Sequence, residues 1–586
     1  AKFIAALAIT FSVFQVYTAA FGVLDAMIQR SIHLSFGLAL IYLLYPTSKD
    51  WSRNKLHPLD ACLAIVGAAT PAYIVIFYQQ LILRAGMTTT LDVVIGVLGI
   101  ALVIEATRRV VGVPIIIIAG LFIVYAFVGP YIPGRLAHRG ARLDSLVGHI
   151  FFTTEGVFGI PLGVSSTFIF LFILFGAFLE RTGLGQFFID ISNSIAGWAS
   201  GGPAKVAVLS SALMGTVSGS SVANVVGTGS FTIPMMKKLG YSPEFAGAVE
   251  ATASTGGQIM PPIMGAAAFL MAEFTGISYA RIIGAAAVPA LLYYFGVWAG
   301  VHLEAKRLGL RGLRREELPD LRELLKKSFL MLPLVAIIYL LVSGFTPMRA
   351  ALIAILLSIA TAGMASIVNW VRKRPVGFRW IDIVAGLEAG ARGVLGVLAA
   401  TACAGIIIGV VTLTGLGLKL GSSLVLLADG NLFLTLVFTM ITSLILGMGV
   451  PTTANYVITS TIAAPALIMI LSRLNPGLEL FAPAIVLPAH MFAFYFGIIA
   501  DVTPPVALAA FAGAGIAKAN PMKTGLIATK LAIAAFLVPY IFVYSPQMLG
   551  IDATFLDMVL ILLTSSVGMI GVSAAVMGFL IRPMWL

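Results

Sequence analysis

Runs of about twenty apolar residues recur along the whole chain, and they constrain its fold more than any other feature. Of the 586 residues, 60% are hydrophobic and 10% are charged, whereas soluble domains carry about 25% charged residues. The runs are continuous and do not alternate with polar residues, which argues against a membrane β-barrel. The sequence therefore predicts an all-α polytopic membrane protein that is surrounded by a lipid bilayer.

Lys and Arg residues give the chain a net charge of +12, and they cluster in short loops between the apolar runs. This distribution sets the orientation of a membrane protein, so no nucleic-acid partner is expected. The basic connections expected in the cytoplasm are 48–55, Arg108-Arg109, 302–327 and 371–379. The two cysteines lie in apolar runs and predict neither a disulfide framework nor a metal cluster.

A unit that starts near residue 145 occurs twice. Glu155-GVFGIPLGV resembles Glu388-AGARGVLGV, and three further ordered matches follow at offsets of 231 to 243 residues. Such a pattern predicts internal repeats. Five spans counted from a cytoplasmic N-terminus put the start of repeat one outside, although Arg135, Arg139 and Arg142 in the preceding loop argue weakly against this placement. The basic segment 371–379 puts the start of repeat two inside, so we expect inverted topology, which is typical of secondary transporters. The predicted regions are 1–109 (four spans at 3–24, 32–45, 59–81 and 91–107), 110–144 (connecting span), 145–303 (repeat one), 304–380 (cytoplasmic linker and two scaffold spans), 381–545 (repeat two) and 546–586 (C-terminal span).

Each repeat contains a polar, glycine-rich stretch within its apolar runs, the longest at 215–272. Polar backbone at membrane depth is tolerated only where it is buried in protein or lines a water-filled cavity. We expect a re-entrant hairpin at 205–238 that turns within SGSSVANVVGTG, and another at 431–471 that turns at GMGVPTTAN. The helix after each hairpin should be interrupted at GGQIMPP (256–262) or DVTPP (501–505), because proline removes a backbone donor and clashes with the preceding turn.

Unwound backbone and Ser, Thr and Asn side chains offer oxygen atoms that suit Na⁺, while the N-termini of half-helices suit a carboxylate. Each hairpin tip is predicted to face the break of its own repeat, which gives two pseudo-symmetric cation sites with substrate between them. The alternative is that these small residues only allow close helix packing. The candidate cation-binding residues are Ser218, Ser220, Asn224, Gly256, Gly257, Gly449, Thr452, Asn455, Asp501 and Thr503, and the candidate substrate-binding residues are Ser221, Gln258 and Thr453.

Carboxylates in apolar runs are expensive when they are unpaired and are therefore candidate functional groups. Asp501 stands where repeat one has the neutral Gln258, and it is expected to ligate a cation or to bind a proton. For Glu250 the sequence leaves two alternatives, a structural role and a role in ion coupling. Glu388 and Arg392 are spaced for an ion pair within a helix. No Walker A, HExxH or GxSxG motif occurs in a fitting context, so neither an enzyme nor a cofactor is predicted.

Two long segments, EATASTGGQIMPPIMGAAAFLMAEFTG (250–276) and ADVTPPVALAAFAGAGIAKANP (500–521), resemble the fused membrane component of TRAP transporters, the tripartite ATP-independent periplasmic family. The TAXI branch of that family is the most similar. The resemblance implies a four-helix small subunit at 1–109 fused to a large subunit, in a monomeric membrane unit. It also implies an elevator-type importer in a prokaryotic inner membrane. An ion gradient would drive it, and an extracytoplasmic binding protein would deliver a small organic acid or amino acid, which is anionic or zwitterionic.

The family's cation sites map by motif onto the candidate residues above other than Asp501. Sodium-coupled members carry a neutral residue before the TPP motif, whereas this chain has Asp501-Val502-Thr503. That departure leaves the coupling ion open between Na⁺ and H⁺. The alternative from another functional class is a membrane scaffold or channel subunit without coupled transport.

Overall fold

A computed structural model of the protein describes residues 2–48, 51, 57–371 and 378–584. Within these ranges the regular secondary structure is helical, apart from an isolated β-bridge between Phe579 and Pro583. Eleven of the described helices are long and apolar enough to cross a membrane. The prediction of an all-α polytopic membrane protein is therefore confirmed. Most of the basic segments 48–55 and 371–379 lies outside the described residues.

The N-terminal helices follow the predicted spans with two differences. The second helix begins at Ala26 because the polar residues Gln29 and Ser31 are buried within it. The third predicted span is divided at Phe77, whose backbone departs from helical geometry. The helices are α1 (Lys2–Phe21), α2 (Ala26–Leu44), α3 (Pro58–Ile76), α4 (Tyr78–Leu83), α5 (Thr90–Val110) and α6 (Pro114–Val128).

In repeat one, the predicted hairpin is a pair of helices joined at Gly219-Ser220. Gly219 has a φ of +60°, and the Ser220 side chain accepts a hydrogen bond from Ala223 N, so the second helix starts at once. The turn is therefore narrower than predicted, and VANVVGTG is helical. The helices are α7 (Leu143–Phe152), α8 (Ile160–Val164), α9 (Phe170–Arg181), α10 (Leu184–Ala196), α11 (Gly202–Ser218), α12 (Ser221–Leu239), α13 (Pro243–Gly256), α14 (Ala267–Thr275) and α15 (Tyr279–Arg307).

The charged segment between the repeats begins later than predicted. Helix α15 continues to Arg307, and an ion pair between Glu304 and Arg307 closes its last turn. The linker proper contains α16 (Leu321–Leu325) and precedes α17 (Leu332–Val342) and α18 (Pro347–Val371).

Repeat two has the same order of elements after its first helix, which is an unbroken 35 residues. The Glu388–Arg392 ion pair predicted within that helix is present at 2.6 Å. The second arm of hairpin two is bent by 47° near Ala463. The helices are α19 (Trp380–Thr414), α20 (Leu416–Leu427), α21 (Leu432–Gly447), α22 (Thr452–Ile462), α23 (Ala464–Leu474), α24 (Pro483–Ile499), α25 (Leu508–Ala517) and α26 (Pro521–Tyr544), and α27 (Phe555–Met577) follows.

Both helices that were predicted to be interrupted are broken at their Pro-Pro pairs. Break one (257–266) separates α13 from α14, and break two (500–507) separates α24 from α25. In each break the Pro-Pro peptide bond is cis. Each following helix is preceded by an alanine with left-handed backbone, Ala266 at φ +64° and Ala507 at φ +32°.

The chain packs into two units. Unit 1 comprises residues 1–182, 333–431 and 453–469, and the long helix α19 lies at its centre against α1, α5, α6 and α9. Unit 2 comprises residues 183–332, 432–452 and 470–586, and α13 lies at its centre. Each predicted repeat therefore contributes to both units, and both breaks belong to unit 2.

Within unit 2, α13 of repeat one packs against α25 of repeat two. The two helices meet at glycine: a Cβ atom on Gly247 would lie 3.0 Å from the carbonyl oxygen of Gly513. No side chain can occupy that space, so the two backbones are in direct contact. This crossing holds the helices that flank break one and break two against each other.

Candidate functional site

The two hairpin tips and the two breaks contribute one side chain each to a chain of hydrogen bonds. Asp501 Oδ2 accepts hydrogen bonds from Ser221 Oγ and from Gln258 Nε2, each at 2.7 Å. The other end of the Gln258 amide, Oε1, accepts a hydrogen bond from Thr452 Oγ1 at 2.7 Å. All four residues belong to unit 2 and are buried. Four segments that are distant in sequence are therefore joined by three hydrogen bonds.

The position of each residue follows from its local structure. Ser221 is the first residue of α12 and Thr452 the first of α22, and each comes directly after a tight turn. Gln258 lies in the 3₁₀ turn that ends α13, and Asp501 lies two residues after α24. The carboxylate of Asp501 is thus bound at the start of α12, where the positive end of the helix dipole stabilises negative charge.

Asp501 uses only one of its two oxygen atoms. Its Oδ1 atom is buried and has no hydrogen-bond partner among the described residues, and Asp501 itself is 5% exposed. Its described partners are the neutral groups of Ser221 and Gln258. A buried polar atom without a partner costs about 1–3 kcal/mol, and more when it is charged. The Oδ1 atom is therefore suited to a proton or a cation.

Hairpin one also touches break one, through glycine. A Cβ atom on Gly257 would lie 2.8 Å from Gly215 Cα and 3.0 Å from Asn224 Nδ2. A Cβ atom on Gly219 would lie 2.7 Å from Gly265 Cα. The predicted approach of the first tip to the break of its own repeat is therefore seen in the backbone, while the side-chain hydrogen bonds run from each tip to the break of the other repeat.

The remaining candidates of repeat one have varied surroundings. Asn224 is buried and donates a hydrogen bond to Ser211 O at 2.9 Å. Ser218 has a buried hydroxyl without a partner among the described residues. Ser220 is exposed and caps α12. Gly256 lies against the rings of Tyr293 and Tyr294.

The candidates of repeat two belong to both units. Gly449 forms the turn of hairpin two with a φ of +72°. Thr503, in break two, donates to the carbonyl oxygen of Ile499, the last residue of α24, at 2.9 Å. Thr453 and Asn455 are buried and belong to unit 1, and Asn455 Oδ1 has no hydrogen-bond partner in the described part of the chain.

A second buried carboxylate, Glu250, lies within unit 2 on α13. Ser211 Oγ donates to its Oε1 at 2.8 Å and Ser254 Oγ at 3.3 Å. Thr228 and Thr232 of hairpin one also bind the carboxyl group, one at each oxygen atom. These four hydroxyl residues are not among the candidates predicted from the sequence. The available signal was the spacing of Asn224, Thr228 and Thr232, four residues apart, which puts them on one face of a helix.

Within unit 1, polar side chains of α1 and α2 bind an irregular part of repeat one. His33 joins Gln15 (2.7 Å) to Ser165 (3.1 Å), the first residue of a π-helical turn at 165–169. Gln29 donates to Ser166 O at 3.2 Å, and Arg30 donates to Phe158 O at 2.6 Å. These contacts satisfy backbone and hydroxyl groups that regular helical hydrogen bonding leaves free.

Taken together, paired hairpins, paired helix breaks and a buried carboxylate that joins them define a polytopic membrane protein with the architecture of a secondary transporter. The chain belongs to the family described as "Tripartite ATP-independent periplasmic transporter, DctM component", whose sequence profile matches residues 98–556. The protein is accordingly an inner-membrane protein, as predicted. Its family consists of transport components and not of enzymes.

Several named relatives are similar over part of their length. The C4-dicarboxylate TRAP transporter large permease protein DctM of Vibrio cholerae is 30% identical over 253 residues, which cover 42% of this chain and 51% of the relative. The protein of the same name from Pseudomonas aeruginosa is 31% identical, covering 31% and 43%. The sialic acid TRAP transporter large permease protein SiaM of Vibrio cholerae is 26% identical, with the same coverage. The chain spans about half the length of the relatives it matches.

Proposed function

We propose that this protein is the membrane component of an ion-gradient-driven secondary importer. The observation that carries the proposal is the junction at Asp501, where both hairpin tips and both breaks are linked by hydrogen bonds and one carboxylate oxygen has no hydrogen-bond partner among the described residues. A site assembled from discontinuous helices responds to ion binding in all four segments at once. Such a response is what coupling of an ion to a conformational change requires.

The coupling ion is Na⁺ or H⁺, and it binds at Asp501. The unpartnered Ser218 hydroxyl and the helix ends of break one provide further oxygen atoms in the same unit. The other candidate cation-binding residues are included as ligands because of their positions in the family's motifs. Gln258 is less suited to the predicted substrate contact, because both ends of its amide already bind protein groups.

The substrate is a small anionic or zwitterionic organic acid or amino acid, which an extracytoplasmic binding protein delivers. The names of the relatives support this class, since they mention C4-dicarboxylates and sialic acid, both of which carry carboxylates. The start of α12 at the tip of hairpin one offers backbone N–H groups and a positive dipole end for such a group.

The four N-terminal spans, which are α1, α2, α3 with α4, and α5, act as a fused small subunit that braces the large one in a monomer, and the chain belongs to the TAXI branch. The family profile begins at residue 98, so α1 to α4 lie outside it. Nevertheless Gln29, Arg30 and His33 bind the irregular segment 158–166 inside it. Buried polar contacts of this kind fix one element to another at membrane depth. In an elevator mechanism this part stays still while the breaks move.

The proposal is tested with the purified chain in liposomes, together with its binding protein and labelled candidate acids, under Na⁺ and pH gradients that are varied independently. We expect accumulation of substrate only when one of the gradients is imposed. No uptake with either gradient would favour a scaffold. Uptake that equilibrates without a gradient and does not saturate would favour a channel.

A further inference from the structure

Glu250 has a buried environment that is separate from the junction at Asp501. Glu250 lies on α13 and is fully buried. It precedes Gln258, in the 3₁₀ turn after that helix, by about two helical turns. Its hydrogen-bond partners are four hydroxyl groups, from Ser211 on α11, Thr228 and Thr232 on α12, and Ser254 on α13 itself. The carboxyl group therefore ties both arms of hairpin one to the helix that leads into break one.

No positive charge balances Glu250 among the described residues that contact it. Tyr294 of α15 interacts with it electrostatically, but the Tyr294 hydroxyl donates to Ala253 O at 2.9 Å. The lysines and arginines on the other helices that pack around α13 are exposed or have partners elsewhere: Lys205 with His302, Lys237 with Ala517 O, Lys523 with Glu244, Arg307 with Glu304, and the exposed Lys238, Arg281, Lys306, Lys518 and Lys530. A carboxylate in an apolar interior without a counter-charge is costly unless it takes up a proton or a cation.

The hydroxyl groups around Glu250 have alternative acceptors, and this favours a proton. Each hydroxyl has one hydrogen atom to donate and can still accept. Thr228 Oγ1 lies 2.8 Å from Asn224 O as well as against Glu250, and Thr232 Oγ1 lies 3.1 Å from Thr228 O as well as against Glu250. When Glu250 is ionised, all four hydroxyls can donate to it. When it is protonated, it can donate to Thr232, whose own hydrogen then turns to the Thr228 carbonyl.

We propose that Glu250 is a buried proton-binding group that exchanges its proton with solvent and thereby adjusts how hairpin one is held against α13. Both protonation states keep every hydroxyl hydrogen bonded, so the proton can leave without a buried polar atom losing its partner. The hydrogen bonds already fill the space between the carboxyl oxygens and the hydroxyls, which leaves a proton as the occupant and not a metal ion. The site is distinct from the proposed coupling site, because Glu250 contacts none of the Asp501-linked side chains.

Infrared difference spectroscopy of the full-length protein tests this without any transport measurement. Protein labelled with ¹³C in the glutamate side-chain carboxyl is compared with unlabelled protein while the pH is changed across neutrality. We expect a protonated-carboxyl band that shifts with the glutamate label and loses intensity as the pH rises. A protonated-carboxyl band that does not shift with the label, or no such band, would show that Glu250 is ionised and would overturn the proposal.

Variants assign the band to one residue. Glu250→Gln has nearly the shape of the protonated acid, and we expect it to remove the labelled band completely, while Asp501→Asn leaves that band in place. Persistence of the band in Glu250→Gln would contradict the proposal, as would a Glu250 band that does not respond to pH. Should Glu250→Gln not fold, the label experiment on the unmodified protein still decides the question, since Glu304, the other buried glutamate among the described residues, is held as a carboxylate by its ion pair with Arg307.

Discussion

Break one and break two share a backbone plan but differ in their chemistry. Each follows a buried helix, contains a cis Pro-Pro bond and leads through a left-handed alanine into a short helix. At the equivalent position, however, break one has Gln258, whose amide binds protein groups at both ends. Break two has Asp501, and one of its oxygen atoms has no hydrogen-bond partner in the part of the chain that the structure describes. The two pseudo-symmetric breaks thus carry different groups: Gln258 is a neutral connector between protein groups, and Asp501 is an acidic group available to an ion.

Removal of the charge at break two should have the largest effect. Asp501→Asn keeps an oxygen acceptor for Ser221 and Gln258 but loses the negative charge, and we expect coupled uptake to fall by about 100-fold, since hydrogen bonds to charged groups are worth about 1.5–3 kcal/mol. Uptake in liposomes under each gradient is the measurement. The control is Asp144→Asn, at an exposed ion pair with Arg142. Uptake and pH dependence like those of the unmodified protein would give Asp501 a purely structural role.

Disturbing the contact of break one with hairpin one should have the next largest effect. Gly257→Ala places a Cβ atom 2.8 Å from Gly215 Cα. Overpacking of this kind costs typically 1–3 kcal/mol, and we expect about a 30-fold loss of uptake at the middle of that range. The matched control is Gly227→Ala on α12, where a Cβ atom meets nothing within 4 Å. Equal activity of the two variants would mean that the close approach is not required.

Loss of the neutral connector should cost less than loss of the acid. In Gln258→Leu the new side chain is similar in size to glutamine, but the Thr452 hydroxyl loses its acceptor and Asp501 Oδ2 loses one of its two donors. With about 1–3 kcal/mol for such groups, we expect about a tenfold weaker apparent affinity for the coupling ion, measured from uptake against ion concentration. If the affinity for substrate changed and that for the ion did not, the predicted substrate contact of Gln258 would be supported instead.

The smallest effect is expected at the tip of hairpin two. Thr452→Val removes one neutral hydrogen bond, worth about 1 kcal/mol, so we expect about a fivefold change in ion affinity. Thr452→Ser retains the hydroxyl and should behave like the unmodified protein. A loss in Thr452→Ser without a loss in Thr452→Val would point to packing of the methyl group against Gly265 and not to the hydrogen bond, because valine keeps that methyl group.

The breaks were predictable from sequence because proline and glycine act locally on the backbone. Gly256-Gly257 and the two Pro-Pro pairs lie where the helices end. Boundaries that depend on tertiary burial were not predictable in the same way. The second span was predicted to begin at residue 32, yet α2 begins at Ala26, and its polar residues Gln29 and Ser31 are buried by other elements of unit 1.

The partners within the candidate site were only partly predictable. Internal repeats suggest that each tip meets its own break, and Gly215 does approach Gly257 in this way. The hydrogen bonds from Ser221 to Asp501 and from Thr452 to Gln258 connect opposite repeats. Such pairing depends on how two repeats are placed against each other, which no local pattern records. The hydroxyl groups that bind Glu250 were not predicted for the same reason.

The glycine crossing of α13 and α25 has a consequence for the order of events in transport. Helices that touch backbone to backbone at Gly247 and Gly513 have no layer of side chains whose rotamers could absorb sliding. A displacement of one broken helix is therefore transmitted to the other without delay. Under the proposed transport function, ion and substrate would then change sides in a single event, and partial cycles in which only one of them crosses would be suppressed.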